Sequence, residues 1–542
     1  MSALDESFQL GDLAVGVEAR LAGWVSSGRV GDLKRKNREL WPLGDTPDRL
    51  GWLNLPGSSQ KLVDDLEVFA EEVRSEGIEH VILLGMGGSS LAPEVFSGLF
   101  GGRGGWPALV TLDTTHPGAV ARALASLDPG KTLVVVASKS GTTVETLSLF
   151  RSFWTAFGEG SRFVAITDPG TALETVGKER QFRRVFSAPA DVGGRFSALS
   201  VFGLAPAALV GADLRSLLAT SLRVASELGD AGSREPALAL GSLLVEAMEG
   251  GRDKLTLLAE PAIQPLADWL EQLTAESLGK KGVGVVPVTR EPLGSIDAYG
   301  DDRVFVAHRL GGRADEVLSE FLDEARRRGH PVVERSLADP YEVGAEMYRW
   351  QVAVALAAAD LGLNPFDQPD VDLAKVLARK AMERSSSVSE TGAASVTASN
   401  FEERLRAWLA DAAPGDYLCV QAFLDPAREV ETGLRLLQGA LRDHTRLAVC
   451  AGYGPRFLHS TGQLHKGGPK RGVFLQLIDR PAEDVPVAET DFTFSRLIAA
   501  QAEGDGEALV ERGRRLLRVD LGTDAVTGLR QLREIMTRPV TR

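Results

Sequence analysis

From residue 76 onward the chain alternates between short apolar runs and one-sided polar stretches. Residues 80–86, 108–113, 132–137 and 162–167 are rich in Val, Ile and Leu and are bounded by turn-forming residues. Between them, residues 90–100 place Leu91, Val95 and Leu99 at helical spacing. Residues 143–157 do the same with Val144, Leu147, Phe150 and Trp154. Continuous apolar strands separated by amphipathic helices predict an α/β fold with a parallel sheet covered on both faces. A second α/β region begins near 303–306 and runs past 331–333 into a long helix over 341–361. Residues 1–75 read as a helical segment with Trp24, Trp41 and Trp52 as packing anchors. The divisions expected are therefore 1–75, a first α/β domain over 76–290 and a second over 291–383. Residues 384–400 are small and polar and read as a linker. Residues 401–542, with strand-like 417–424, 447–451 and 473–478, read as a third, smaller α/β unit.

A chain of 542 residues is too long for one hydrophobic core, so several domains are expected on length alone. The formal net charge of −14 argues against a nucleic-acid partner or an anionic membrane. It also requires any site for an anionic substrate to be basic locally. Cys419 and Cys450 both lie in apolar stretches and read as buried thiols of a reducing compartment. No CxxC or clustered His/Cys pattern suggests a metal site. No basic-then-apolar leader opens the sequence and no apolar run approaches membrane-spanning length, so a cytoplasmic location is expected.

Several segments carry candidate chemistry. The run 80–86 ends in Gly85-Met86-Gly87-Gly88-Ser89-Ser90 directly before a helix. Glycines let a ligand approach the backbone, and a helix start offers free N–H groups with a favourable dipole. The run 132–137 ends in Ser138-Lys139-Ser140-Gly141-Thr142-Thr143, four hydroxyls, one ammonium and one glycine at a second helix start. Capping by Thr142 or Thr143, answered by Glu145 or Thr146, would account for one hydroxyl. Both turns fall at the carboxyl edge of one sheet, where open α/β sheets bind ligands. In Asp191-Val192-Gly193-Gly194-Arg195-Phe196-Ser197 the glycine pair could project the Arg195 guanidinium inward or simply serve a surface turn. In Trp269–Gly282, Gln272 and Glu276 are four apart on a predicted helix over 264–278 and share one face beside Leu266, Leu270 and Leu273. A partly desolvated carboxylate there gains basicity; a surface Glu276–Lys280 pair is the plain alternative. Finally, Phe366-Asp367-Gln368-Pro369 leads into a predicted helix over 369–380, with Gln368 as N-cap. Lys375 lies two turns along, either facing the same side or paired to Asp372.

These five segments, in this order, resemble the phosphoglucose isomerase family. The whole chain is most similar to the isomerase half of fused transaldolase–phosphoglucose isomerase proteins, including GYGPRFLHSTGQLHKGGP at 452–469. The resemblance implies two flavodoxin-like sugar isomerase domains and a cytoplasmic aldose–ketose isomerase of glucose 6-phosphate and fructose 6-phosphate. No cofactor is implied, and a homodimer is the candidate assembly. By resemblance, Ser89, Ser138, Lys139, Ser140, Thr142, Thr143, Gln272 and Gln368 would hold the phosphate, Arg195 would steady the enediolate, Glu276 would shuttle the proton and Lys375 would assist ring opening. The family's ring-opening histidine, often lent by a neighbouring subunit, is missing: Asp302 or Arg303 falls at its position. His308 lies nearby in an apolar run and reads as structural. His465, in a glycine-rich loop with Gln463 and Lys466, is the expected replacement, with a loop histidine bound to backbone as the alternative. A bifunctional phosphoglucose/phosphomannose isomerase and a non-catalytic sugar-phosphate sensor remain as rivals. A glutamine-dependent amidotransferase would need an N-terminal cysteine, and none precedes Cys419.

Overall fold

A computed structural model describes residues 7–228, 236–311, 315–383 and 392–538. Its strands are β1 (Phe8–Gln9), β2 (His80–Gly85), β3 (Ala108–Leu112), β4 (Thr132–Ala137), β5 (Phe163–Thr167), β6 (Arg184–Ser187), β7 (Lys254–Ala259), β8 (Val286–Val288), β9 (Arg303–Leu310), β10 (Val332–Leu337), β11 (Ala394–Ser395), β12 (Tyr417–Phe423), β13 (Ala448–Tyr453), β14 (Gly472–Ile478) and β15 (Arg515–Asp520). They form three five-stranded sheets.

The first sheet runs β3-β2-β4-β5-β6, all parallel. Counted from β2, this is the order 2-1-3-4-5 of flavodoxin-like sheets, with its ligand crevice between β2 and β4. Gly85 pairs with Ala137, so the two serine-rich turns leave their strands at the same level. The second sheet runs β8-β7-β9-β10 in parallel, with β1 antiparallel on the edge. The expected boundary at residue 290 is therefore corrected. β7 pairs with β9 and β8 pairs with β7, neither with β6, so the second unit starts near residue 254 and carries the helix Gln264–Leu278.

The third sheet runs β13-β12-β14-β15, with β11 parallel beyond β15. Its inner order is again 2-1-3-4, and residues 401–542 supply four of its five strands. β11 falls within the expected linker, held there by pairing to β15; residues 384–391 lie outside the described residues.

The amino-terminal helices anchor as the tryptophans suggest. Trp24 Nε1 donates to Asp360 at 2.9 Å, Trp41 Nε1 donates to the Ala355 carbonyl at 2.8 Å, and Trp52 packs on Phe196 with centroids 5.0 Å apart. The helix Gln264–Leu278 buries Leu266, Leu270 and Leu273, but it is surrounded rather than one-sided, because Trp269, Gln272, Ala275 and Ser277 are buried too. Full burial of each large apolar side chain contributes about 1.5–3 kcal/mol, so this helix is fixed in position. On the helix Val144–Phe157 the packed face is set by Glu145, Leu149, Phe150, Phe153 and Phe157, whereas Val144 is exposed and Leu147 half-buried. Val144 opens the helix at the rim of the sheet, outside the packed layer. The helix expected over 369–380 runs from Asp372 to Glu383. Among the described residues no helix is long and apolar enough to cross a membrane.

Candidate active site

The turn after β4 encloses a helix start. Gly141 has φ +66°, and a Cβ there would lie 2.7 Å from the Thr171 Cβ, so the position requires glycine. Ser138 Oγ accepts from the Gly141 N–H at 3.2 Å and lies 3.1 Å from Thr143 Oγ1, which shapes the turn from below. Thr143 is the N-cap of Val144–Phe157 and makes no side-chain cap hydrogen bond. Capping therefore does not explain the Thr143 hydroxyl, whereas Ser140 Oγ, like Ser138 Oγ, accepts from a backbone N–H of the turn, that of Thr142 at 3.3 Å. The opening N–H groups and the positive end of the helix dipole remain for an anion. Ser140, Thr142 and Thr143 line a cleft of about 730 Å³ together with Glu145, Lys375 and His459. Lys139 is not a free charge at the rim: its Nζ is held by both oxygens of Asp168 at 2.6 and 2.7 Å and by the Pro189 carbonyl, and burial lowers its pKa. It braces the loop.

The glycine turn after β2 serves close packing. A Cβ on Gly88 would lie 2.2 Å from the Gly194 carbonyl oxygen, so this turn and the turn bearing Arg195 meet backbone to backbone. Gly87, at φ +54°, faces Gln272 Nε2 and the His459 carbonyl in the same way. Ser89 is buried in the 3-10 turn Gly87–Ser89.

Glu276 stands at the meeting of these turns. Arg195 Nε lies 3.1 Å from its Oε2, and Gln272 Nε2 donates to the same oxygen at 3.2 Å. The rest of the guanidinium is spent on fixed acceptors: the carbonyls of Glu276 and Pro365 at 2.9 Å, that of Asp367 at 3.3 Å, and Gln368 Oε1 at 2.5 Å. With both terminal nitrogens so engaged, Arg195 is clamped against the carboxylate. The same contact explains why Gln368 is not an N-cap. Lys280 does not pair with Glu276. It is buried and donates to the Asn364 and Asp367 carbonyls and to Asp367 Oδ1; burial, aided by Arg195, brings it down to about 8. Arg195 thus backs a carboxylate whose side chain is 13% exposed, while Lys280 braces the Asp367 turn beside it.

The third unit enters the cleft at the turn after β13. His459 Nε2 lies 3.0 Å from Glu145 Oε1, and the His459 carbonyl accepts from Gln272 Nε2 at 2.7 Å. Burial alone would keep the imidazole neutral, but Glu145 outweighs it and raises the ring above the ordinary histidine range, with a smaller contribution from Glu276. Conversely, burial would push Glu145 up, but His459 holds it low. Gln501 donates to the same Glu145 oxygen at 2.8 Å and accepts from Thr115 Oγ1 at 2.7 Å. Lys375 lines the mouth of this cleft, half-exposed, with its Nζ 3.2 Å from Asp372 Oδ1.

His465 does not reach the cleft. The segment expected to be a glycine-rich loop folds as the helix Gly462–Gly467 and buries it. Its Nδ1 meets Tyr417 Oη at 3.2 Å and its Nε2 meets Cys419 Sγ at 3.3 Å. Burial, then Lys466 and Arg514, keeps the ring neutral well below the usual histidine range. His459, Glu145, Gln501 and Lys280 were missed in the sequence. A signal for His459 existed: it lies just past the carboxyl end of a parallel strand, on the edge where ligands sit. His308 is structural, buried 3.2 Å from Glu346. A larger cavity of about 860 Å³, lined by Leu405, Leu409, Leu447 and Met536 among others, is mostly apolar and remote from this chemistry.

The Phosphoglucose isomerase family profile matches residues 57–300. The glucose-6-phosphate isomerase of Rubrobacter xylanophilus is 32% identical over 391 residues, which is 62% of this chain and 90% of the relative. An enzyme of the same name from Thermus thermophilus is 31% identical over 394 residues, 64% of this chain and 93% of the relative. Among solved structures, a hypothetical protein from Thermus thermophilus superposes with TM-score 0.59 at 27% identity, covering 70% of this chain and all of that one. A glucose-6-phosphate isomerase from Chlamydia trachomatis superposes with TM-score 0.56 at 18% identity, covering 72% of this chain and 89% of that one, which speaks for the fold alone. Nearly the whole length of two relatives above 30% identity is accounted for here, and the chain belongs to the phosphoglucose isomerase family.

Proposed function

We infer that this protein interconverts glucose 6-phosphate and fructose 6-phosphate, as an isomerase working through an enediol. The observation that carries this reading is Glu276: a carboxylate held by Arg195 and Gln272, with Gln272 tied in turn to the carbonyl of His459, which lines the cleft of the hydroxyl-bearing helix start. Ser140, Thr142, Thr143 and the opening N–H groups of Val144–Phe157 take the phosphate, with Ser138, Lys139 and Ser89 supporting the turns beneath and Gln272 and Gln368 fixing the groups beside it. Ring opening moves one proton from O1 to the ring oxygen. The hydrogen-bonded pair His459–Glu145 gives the proton to the ring oxygen and recovers one from O1 by way of cleft water or Lys375, so the enzyme ends unchanged. Glu276 then removes the C2 proton, one proton passes from O2 to O1 across the enediolate, and Glu276 returns its proton to C1. Arg195, whose charge lies against Glu276, steadies the negative charge as it passes from carboxylate to enediolate.

A sensor without turnover would have no use for a base held by two donors, which disfavours that rival. The test is a coupled assay of purified protein with fructose 6-phosphate and, separately, mannose 6-phosphate. Turnover of the first supports the reading; turnover of both would widen it to a bifunctional isomerase; turnover of neither would refute it.

A further inference from the structure

The carboxy-terminal unit repeats the strand order of the other two, but the acidic residues of its crevice, where a cavity of about 340 Å³ is lined by Phe423, Ile478 and Asp479, are not left free. In a 2-1-3-4 sheet that crevice lies past the ends of the first and third strands, here β12 and β14. Asp425 and Asp479, just beyond them, are instead held by groups of the first unit: Arg122 grips Asp425, and His116 Nε2 lies 3.2 Å from Asp479 Oδ1. What the unit offers outward is the turn after β13. Arg456 on that turn pairs with Glu94 and, at 3.0 Å, with Asp113, and His459 ends the turn against Glu145.

The contact is a permanent one. Ala275, Val286 and Val288 of the second unit share one buried cluster with Cys419, Cys450 and Leu464 of the third. Phe494 and Leu497 join the core beneath the first sheet. Arg303, one of the two residues at which the resemblance places a histidine, is fully buried. It spends its guanidinium on Glu291, Thr256 and the Leu447 carbonyl of the third unit. Arg303 therefore helps fasten the unit that brings another histidine.

We propose that the carboxy-terminal unit stands in for a neighbouring subunit, so that a single chain holds the complete active site, with His459 supplied in cis. This rests on the isomerase reading above. The chain need not dimerise to be active, and two chains with different defects cannot repair each other.

The test is complementation between full-length Glu276→Gln and His459→Asn, co-expressed with different affinity tags and purified through both. Thermal melts, with and without fructose 6-phosphate, establish that each variant is folded, and His459→Gln serves as a second probe of that position. The hetero-assembly is expected to show no more activity than the mean of the two separate variants. If no species carries both tags, wild-type specific activity is expected to stay constant on dilution to a species of monomer mass. Recovery of about half the wild-type activity in a two-tag dimer, where one of its two sites would be intact if shared, would overturn the proposal. So would activity that vanishes on dilution to monomer, or a folded His459 variant with wild-type turnover of the cyclic substrate. Inactivity of the wild type would instead refute the isomerase reading, so the two failures are distinct.

Discussion

Replacing Glu145 by Gln probes the link between the first and third units while keeping shape and most hydrogen bonding. Glu145 lies on the packed face of its helix, with a side chain 6% exposed, and His459 Nε2 is 3.0 Å from its Oε1. A hydrogen bond to a charged group contributes about 1.5–3 kcal/mol. At 1.36 kcal/mol per decade its loss converts to a fall of about 10- to 150-fold in the ring-opening rate. The sign of the pH effect follows from the two shifts. The folded pKa of His459 is raised, burial being outweighed by Glu145. Its stabilising contribution is thus complete below the ordinary histidine value of about 6.5 and is lost as pH rises through the raised value. The folded pKa of Glu145 is lowered, so its contribution is present above the ordinary carboxylate value and is lost as pH falls through the lowered one. The pair therefore supports the fold most between those two ordinary values. In Glu145→Gln the imidazolium loses its partner, and the alkaline limb of kcat/KM for cyclic glucose 6-phosphate should move to lower pH. The assay is that pH profile, run beside an open-chain aldose phosphate that needs no opening and should be spared. An unchanged alkaline limb, or equal losses on cyclic and open-chain substrates, would refute the assignment of ring opening to this pair.

Other outcomes follow from the same geometry. Thr142→Ala combined with Thr143→Val should raise KM by about tenfold or more with a smaller change in kcat, because these hydroxyls grip phosphate in ground and transition states alike; steady-state kinetics decides. His465→Leu should leave kcat near wild type and cost about 1–3 kcal/mol of stability by stranding Tyr417 Oη, readable by denaturant melts; a kcat collapse would restore His465 to the mechanism. Gly88→Ala should damage activity and stability together, since its Cβ would lie 2.2 Å from the Gly194 oxygen and push apart the two turns that seat Arg195.

The sheets were legible because buried parallel strands are continuous apolar runs: residues 132–137 match β4 to the residue, and the strands near 80, 108 and 163 are displaced by one residue at an end. The domain boundary was not legible, because pairing partners are set by topology, and β7 and β8 carry no mark of the sheet they join. That Gln272 and Glu276 share a helix face was legible through their spacing. What failed was long-range. Whether Lys139 meets a phosphate or Asp168 depends on a residue 29 positions away. The choice between His459 and His465 depends on whether residues 462–467 form a loop or a packed helix. Glu145 read as a capping residue because a buried carboxylate has no periodic signature; only its partner, 314 residues on, explains its burial.

The central claim is that Glu276 carries the proton between C2 and C1. Its most direct test is isomerisation of fructose 6-phosphate in deuterated water, followed by NMR, for wild type and Glu276→Gln side by side. The account predicts glucose 6-phosphate labelled with deuterium at C2 from the wild type. From a variant that still binds the sugar phosphate it predicts turnover lower by about 10²–10⁴-fold, the usual contribution of a positioned general base. A Glu276→Gln protein that labels C2 at a rate close to wild type would contradict it.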